Sequence, residues 1–202
     1  MALWLTDQPL VLASKSEVRR KIIEAAGIPA EVHPAEIDER AIEAGAGDAP
    51  SRDVARMLAL VKARTVADAL PGRLVLGADQ TLAFGSETLS KPADLAAASE
   101  QLLRMRGLTH ELHSAISVAR DKTVLFEHVS TARLAMRRFS EDFVDRYLET
   151  VGFAALTSVG AYQIEGIGIH LFERIEGDHF TIMGLPLLPL LNFLRNEGFV
   201  EA

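Results

Sequence analysis

The sequence predicts an α/β fold, a mixed elongated sheet flanked by helices. Short apolar runs of strand length recur along the chain, helical periodicities fall between them, and Gly, Pro or a capping residue separates each from the next. The 202 residues suit a single domain, 1–202, with room for two lobes around a cleft. A chain that is 49% apolar and 24% charged is globular rather than disordered.

Leu10-Val11-Leu12-Ala13 reads as a buried strand. A helix follows Ser14-Lys15-Ser16, with Val18, Ile22 and Ala26 at four-residue steps and Gly27 as its stop. Ala30 to His33 is a second strand, and 44–50 is a loop rich in Gly and Ala. Ser51 caps the next helix, with Val54, Leu58, Val61 and Thr65 on one face, and Pro71-Gly72 ends it. Leu74 to Ala78 is a strongly apolar strand. Thr81–Phe84 and Glu87–Leu89 flank Gly85-Ser86 as a hairpin. Asp94 caps a helix through Met105, stopped by Gly107. His113–Ala119 and Leu125–Met136 read as strands, and Ser140 caps a helix carrying Phe143, Tyr147 and Leu148. A last helix spans 187–197.

The net charge of −7 argues against a nucleic-acid partner, which needs a basic face, but allows a local cationic pocket. The absence of Cys removes disulfides, thiolate metal sites and thiol catalysis. The start Met1-Ala2-Leu3-Trp4 lacks the pattern of a signal peptide, and no apolar run reaches the ~20 residues of a membrane span, so the expected location is cytoplasmic.

Three clusters could carry chemistry. Ser14-Lys15-Ser16-Glu17-Val18-Arg19-Arg20 joins a buried strand to a helix start, where free N–H groups and guanidinium donors favour phosphate oxygens. A capped helix with solvated Arg residues accounts for the same stretch. Gly77-Ala78-Asp79-Gln80 places a carboxylate directly after an apolar strand, where it can hold a metal, polarise a water or only bond its own turn. Gly160 to Gly168, around Glu165, marks either a close backbone approach to a ligand or edge turns. Lys62 and Lys91 are candidates for neutralising phosphate, and Glu39, in the acidic run after Pro34, is a candidate metal ligand. His110 and His113 would face opposite sides of a strand and read as structural.

In order, these pieces resemble the Maf family of nucleoside triphosphate pyrophosphatases. The resemblance runs from Leu12–Arg20 through Ile37-Asp38-Glu39, Lys62-Ala63, Gly77-Ala78-Asp79, Lys91-Pro92, Met105–His110 and Gly160–Gly166 to Met183-Gly184-Leu185-Pro186. It implies a two-lobed α/β fold with a cleft over the sheet and cleavage between the α and β phosphates, giving a nucleoside monophosphate and pyrophosphate. It also implies help from a divalent cation, Mg²⁺ or Mn²⁺. By the match, Asp79 is the general base, Arg19, Lys62 and Lys91 bind phosphate with Ser14 and Ser16 near it, and Glu39 lies by the metal with Asp79. Gln80 and Glu165 resemble the branch acting on 7-methyl-GTP. With Val18, they are the expected specificity positions. Glu17 and Val18 depart from the family pattern, which has Pro at the first and often Arg or an aromatic at the second.

The expected partner is a nucleoside triphosphate, with a homodimer as the candidate assembly and neither nucleic acid nor membrane. A second reading is a nucleotide-binding regulator of cell division or septum formation with little turnover. A third is a phosphomonoesterase. Asp79 beside a full set of cations favours the hydrolase, because a binder needs no base.

Overall fold

In the computed structural model, which describes residues 3–201, the apolar run Leu10–Leu12 forms β1, buried between two parallel neighbours. These are β2 (Ala30–Val32) and β3 (Leu74–Phe84). Met1 and Ala2, read above as part of a start without a leader, lie outside the described residues. β3 pairs antiparallel with β4 (Glu87–Leu89) across the turn at Gly85-Ser86, and with β5 (Thr109–Arg120). β6 (Thr123–Met136) and β7 (Phe172–Glu176) complete a mixed sheet of seven strands, order β2-β1-β3-β5-β6-β7. Among the described residues no helix is long and apolar enough to cross a membrane.

Most of the helices start where a side-chain cap satisfies free N–H groups. Ser16 caps α1 (Glu17–Ala25), Asp94 caps α4 (Leu95–Met105) and Ser140 caps α5 (Glu141–Val151). Asp178 caps the one-turn α6 (His179–Ile182), and α7 (Leu187–Asn196) follows Pro186. Asp38 caps α2 (Glu39–Gly45), a helix the sequence did not show. It buries no residue, so it has no apolar periodicity to read, and its last two residues take the first two positions of the expected loop.

Several other expectations need correction. Ser51 does not cap α3 (Ser51–Ala69); it is the first helical residue after Pro50. The buried face of α3 runs through Val54-Ala55, Leu58-Ala59, Lys62-Ala63 and Val66-Ala67, while Thr65 is exposed. Small alanines, not the larger residues alone, let this helix lie close to the sheet. β3 is one strand of eleven residues that runs straight through Asp79, so the carboxylate is not at its end. The Gly160 region forms 3-10 turns between Gly152 and Leu171 rather than strand edges.

Side chains alternate along β3 and so sort its neighbours onto two faces. Leu74, Leu76 and Ala78 join a lower core with β1, α1 and α7, and Leu82, on the same face, joins an upper core with α4 and α5. Gln80 stands on that face between the two cores. The opposite face is covered by α3, which packs Ala63, Val66 and Ala67 against Val75. Gly77 makes this approach feasible, because a Cβ there would lie 2.1 Å from the Ala59 carbonyl oxygen and 2.6 Å from the Ala63 nitrogen.

Candidate active site

The edge of β3 that faces β1 and β4 is not paired along its whole length. β1 engages only Val75 and Leu76, and β4 engages only Leu82 to Phe84. Residues 77–81 therefore form a gap in the sheet among the described residues, with Asp79 and Gln80 at its centre. Asp79 is mid-strand in β3 yet stands just past the last rung of the β1–β3 ladder. That is the position at which open α/β sheets gather ligands.

On the α3 side of the gap, the Lys62 ammonium lies 2.6 Å from Asp79 Oδ1 and 2.8 Å from Glu39 Oε1. The Lys62 and Asp79 side chains are only 9% and 10% exposed, whereas Glu39, at the start of α2, is 51% exposed. One cation thus bridges a buried and an accessible carboxylate. Burial raises the Asp79 carboxyl above its ordinary value, while the Lys62 and Arg19 charges act against that shift. Glu43, one turn after Glu39, is also raised, by desolvation and then by the neighbouring Asp79 and Glu39 charges. Sequence reading missed Glu43, though its four-residue spacing from Glu39 would have marked it had α2 been visible.

From the other side of the gap, Arg19 reaches across the start of α1. Its Nη1 donates to the Ser14 hydroxyl at 3.0 Å and to the Ala78 carbonyl at 2.9 Å, and its Nε donates to the Gly184 carbonyl at 2.8 Å. Burial pushes the guanidinium below its ordinary value, opposed by the Asp79 and Glu39 charges. Ser14 is buried and also accepts the Ser16 N–H, while Ser16 caps the helix through the Arg19 N–H. Arg20 turns outward and pairs with Glu17 at 2.7 Å and Glu24 at 3.0 Å. The charge of Glu17 is therefore engaged on the surface, and Val18 packs against the lower core.

Asp79, Lys62, Glu39, Arg19 and Ser14 are thus linked in one constellation. Lys91 is exposed in the loop after β4 and makes no hydrogen bond or ion pair with them among the described residues. Glu165 is exposed between two 3-10 turns, again without a bond to the cluster. The Gln80 side chain is on the opposite face of β3 from Asp79, and its amide nitrogen contacts Ser114 Oγ, Thr181 O and Ile182 O. His110 and His113 stand on opposite faces of β5. The first bonds the Tyr162 hydroxyl at 2.6 Å in the upper core and the second bonds Thr131 at 2.9 Å.

Among the described residues no three His, Asp or Glu side chains converge to cage a metal by themselves. Asp79 and Glu39, both in contact with one ammonium, are two oxygen donors within reach of a single ion. That set fits a hard cation such as Mg²⁺, which commonly takes one or two carboxylates and completes its shell with phosphate oxygens and water.

A buried carboxylate in a sheet gap, flanked by an ammonium and a guanidinium, is the centre of the candidate site of this α/β protein. The chain matches the family described as Maf-like protein over residues 9–197, and it belongs to that family. A nucleoside triphosphate pyrophosphatase of Rhodopseudomonas palustris is 54% identical over 202 residues, covering 100% of both chains. One of Nitrobacter winogradskyi is 52% identical over 201 residues, again covering 100% of both. A 7-methyl-GTP pyrophosphatase of Rhizobium etli is 52% identical over 196 residues, covering 96% of this chain and 98% of its own. Among solved structures, the Ham1 protein of Staphylococcus aureus aligns over 66% of this chain and 73% of its own, with a TM-score of 0.42 and 16% identity.

Proposed function

We propose that the protein hydrolyses a nucleoside triphosphate between the α and β phosphates, releasing a nucleoside monophosphate and pyrophosphate. The observation that carries this reading is the buried Asp79 carboxylate held beside Lys62 and Arg19 in the gap of β3. Full-length relatives at about half identity carry the same activity in their names.

In this reading Lys62 and Arg19 draw the triphosphate into the gap. Lys91 closes on the phosphate chain from the loop after β4. Ser14 holds the Arg19 guanidinium, with Ser16 fixing the helix start. Asp79, kept basic by a raised pKa, accepts a proton from the water that attacks the α-phosphorus. As the new P–O bond forms, the bond to the bridging oxygen breaks and its electrons leave with pyrophosphate. Glu39 and Asp79 would hold a Mg²⁺ or Mn²⁺ ion, which supplies neutralisation of charge on the leaving group.

The substrate proposed is a methylated guanine nucleotide, by likeness to the Rhizobium etli relative. Exposed Glu165 offers a negative charge to the cationic base. Incubating the protein with 7-methyl-GTP, GTP, dTTP and UTP, with separate detection of pyrophosphate and orthophosphate, tests the reading. Pyrophosphate release, fastest on 7-methyl-GTP, is expected. Orthophosphate as the first product would make the protein a phosphomonoesterase, and binding without either product would make it a nucleotide-binding regulator.

A further inference from the structure

Gln80 sits at the crossing of the two apolar cores, directly opposite Ser114 in the β3–β5 register. Both residues stand on the face of the sheet that α6 covers. Ser114 is fully buried, and its hydroxyl donates to the Thr181 carbonyl at 2.7 Å. The Gln80 amide nitrogen lies 2.9 Å from that hydroxyl, 3.0 Å from the Ile182 carbonyl and 3.2 Å from the Thr181 carbonyl. Two carbonyl oxygens can only accept, so the group facing them must be the NH₂ end of the amide. Its two hydrogens are divided among three protein acceptors, and none is left for a base edge.

What this amide holds matters to the site. The carbonyls of Thr181 and Ile182 belong to α6, which leads through Met183 to Gly184. The Gly184 carbonyl accepts the Arg19 Nε–H at 2.8 Å. Gly184 has a φ of +91°, and a Cβ there would lie 3.4 Å from Arg19 Nε and 3.6 Å from Gln80 Oε1. The segment 178–184 therefore forms a strap fixed at one end by Gln80 and Ser114 and ending on the guanidinium at the gap.

We infer that Gln80 is a positioning residue, whose side-chain amide clamps the 178–184 strap to the sheet and thereby sets Arg19 for the phosphate chain, rather than a reader of the nucleotide base. The inference rests on the pyrophosphatase reading for its kinetic consequence, while the clamp itself does not depend on activity.

The test uses Gln80→Met and, as a milder variant that keeps the glutamine, Ser114→Ala. Amide hydrogen exchange across residues 178–185 should quicken by about tenfold in Gln80→Met and by less in Ser114→Ala, since each lost hydrogen bond shifts a local opening equilibrium by severalfold. Binding of inorganic pyrophosphate, which has no base, should weaken by a similar factor when measured by calorimetry. The ratio of kcat/KM between 7-methyl-GTP and UTP should stay within about twofold of wild type, because a clamp acts equally on every nucleotide. Unchanged exchange at 178–185 overturns the inference, as does unchanged pyrophosphate affinity together with an altered base ratio. Failure of the wild-type protein to bind pyrophosphate would instead count against the proposed function, leaving the exchange measurement to decide the clamp.

Discussion

Lys62 Nζ lies 2.6 Å from Asp79 Oδ1 within a helix face otherwise lined by Val, Leu and Ala. A charged side chain at that depth is stable only because its partner is also charged and because Glu39 shares it. Burial holds Asp79 above the ordinary carboxylate range, and Lys62 limits the rise. As the base must be ionised, activity should fall on the acid side through a midpoint above that range. Lys62→Met should move the midpoint to still higher pH. A kcat/KM profile against pH, measured for both proteins, checks this, and coincident acid limbs would contradict it.

The same shift has a stability consequence. The folded state binds the Asp79 proton more tightly than the unfolded chain does. The stabilisation that goes with the protonated form is present at low pH and is lost as pH rises through the folded-state value. Asp79→Asn removes that titration, so its stability should fall less than that of wild type as pH rises from 4.5 to 7. Urea unfolding of both proteins at pH 7 and pH 4.5 provides the comparison, and equal changes in the two would count against it.

Much of this arrangement was legible in the sequence, and the exceptions have physical causes. The caps at Ser16, Asp94 and Ser140 and the strand at Leu10 use local signals, which survive without tertiary context. Lys62 was visible as a candidate, but the burial that gives it meaning lay in the Ala55, Ala59, Ala63 stripe, which periodicity of large residues overlooks. In the sequence Asp79 reads as following a strand, because the polar pair Asp79-Gln80 ends the apolar run Leu74–Ala78. The strand continues because β5 pairs it from Leu74 to Ala83, a long-range contact with no local trace. Gln80 and Asp79 were grouped as neighbours in the chain, yet strand alternation puts them on opposite faces.

Gly77 should tolerate no side chain. An added methyl would lie 2.1 Å from the Ala59 carbonyl oxygen, a backbone atom that can move only with α3. Gly77→Ala should cost about 1–3 kcal/mol of stability, as overpacking typically does. It should also lower activity beyond what that loss explains, because moving α3 draws Lys62 away from Asp79. Thermal unfolding and turnover measured on one preparation test this, with a wild-type melting temperature as the contrary result.

His110 provides an acid-sensitive element away from the gap. Burial lowers its pKa to about 4, and its ring bonds the Tyr162 hydroxyl. The neutral ring is the folded form, so its stabilisation is complete above pH 6.5 and is lost as pH falls toward 4, by on the order of 3 kcal/mol at most. His110→Gln keeps a polar partner for Tyr162 without titrating there, so it should lose less stability than wild type between pH 7 and pH 4.5. Equal losses in denaturant titrations would contradict this assignment.

The metal reading is tested by removing divalent ions. Chelator should abolish pyrophosphate release, excess Mg²⁺ or Mn²⁺ should restore it, and Glu39→Gln should raise the concentration of ion needed by about tenfold or more. Full activity in chelator would set aside the pairing of Glu39 with Asp79 as ligands.

The most direct measurement is pyrophosphate release by Asp79→Asn on the nucleotide the wild-type protein hydrolyses fastest, alongside calorimetric binding of that nucleotide. A positioned acid–base group contributes about 10²–10⁴-fold. Release should therefore fall by at least about a hundredfold, with the fold intact and binding retained. Near-wild-type release by the folded variant would contradict the assignment of Asp79 as the base.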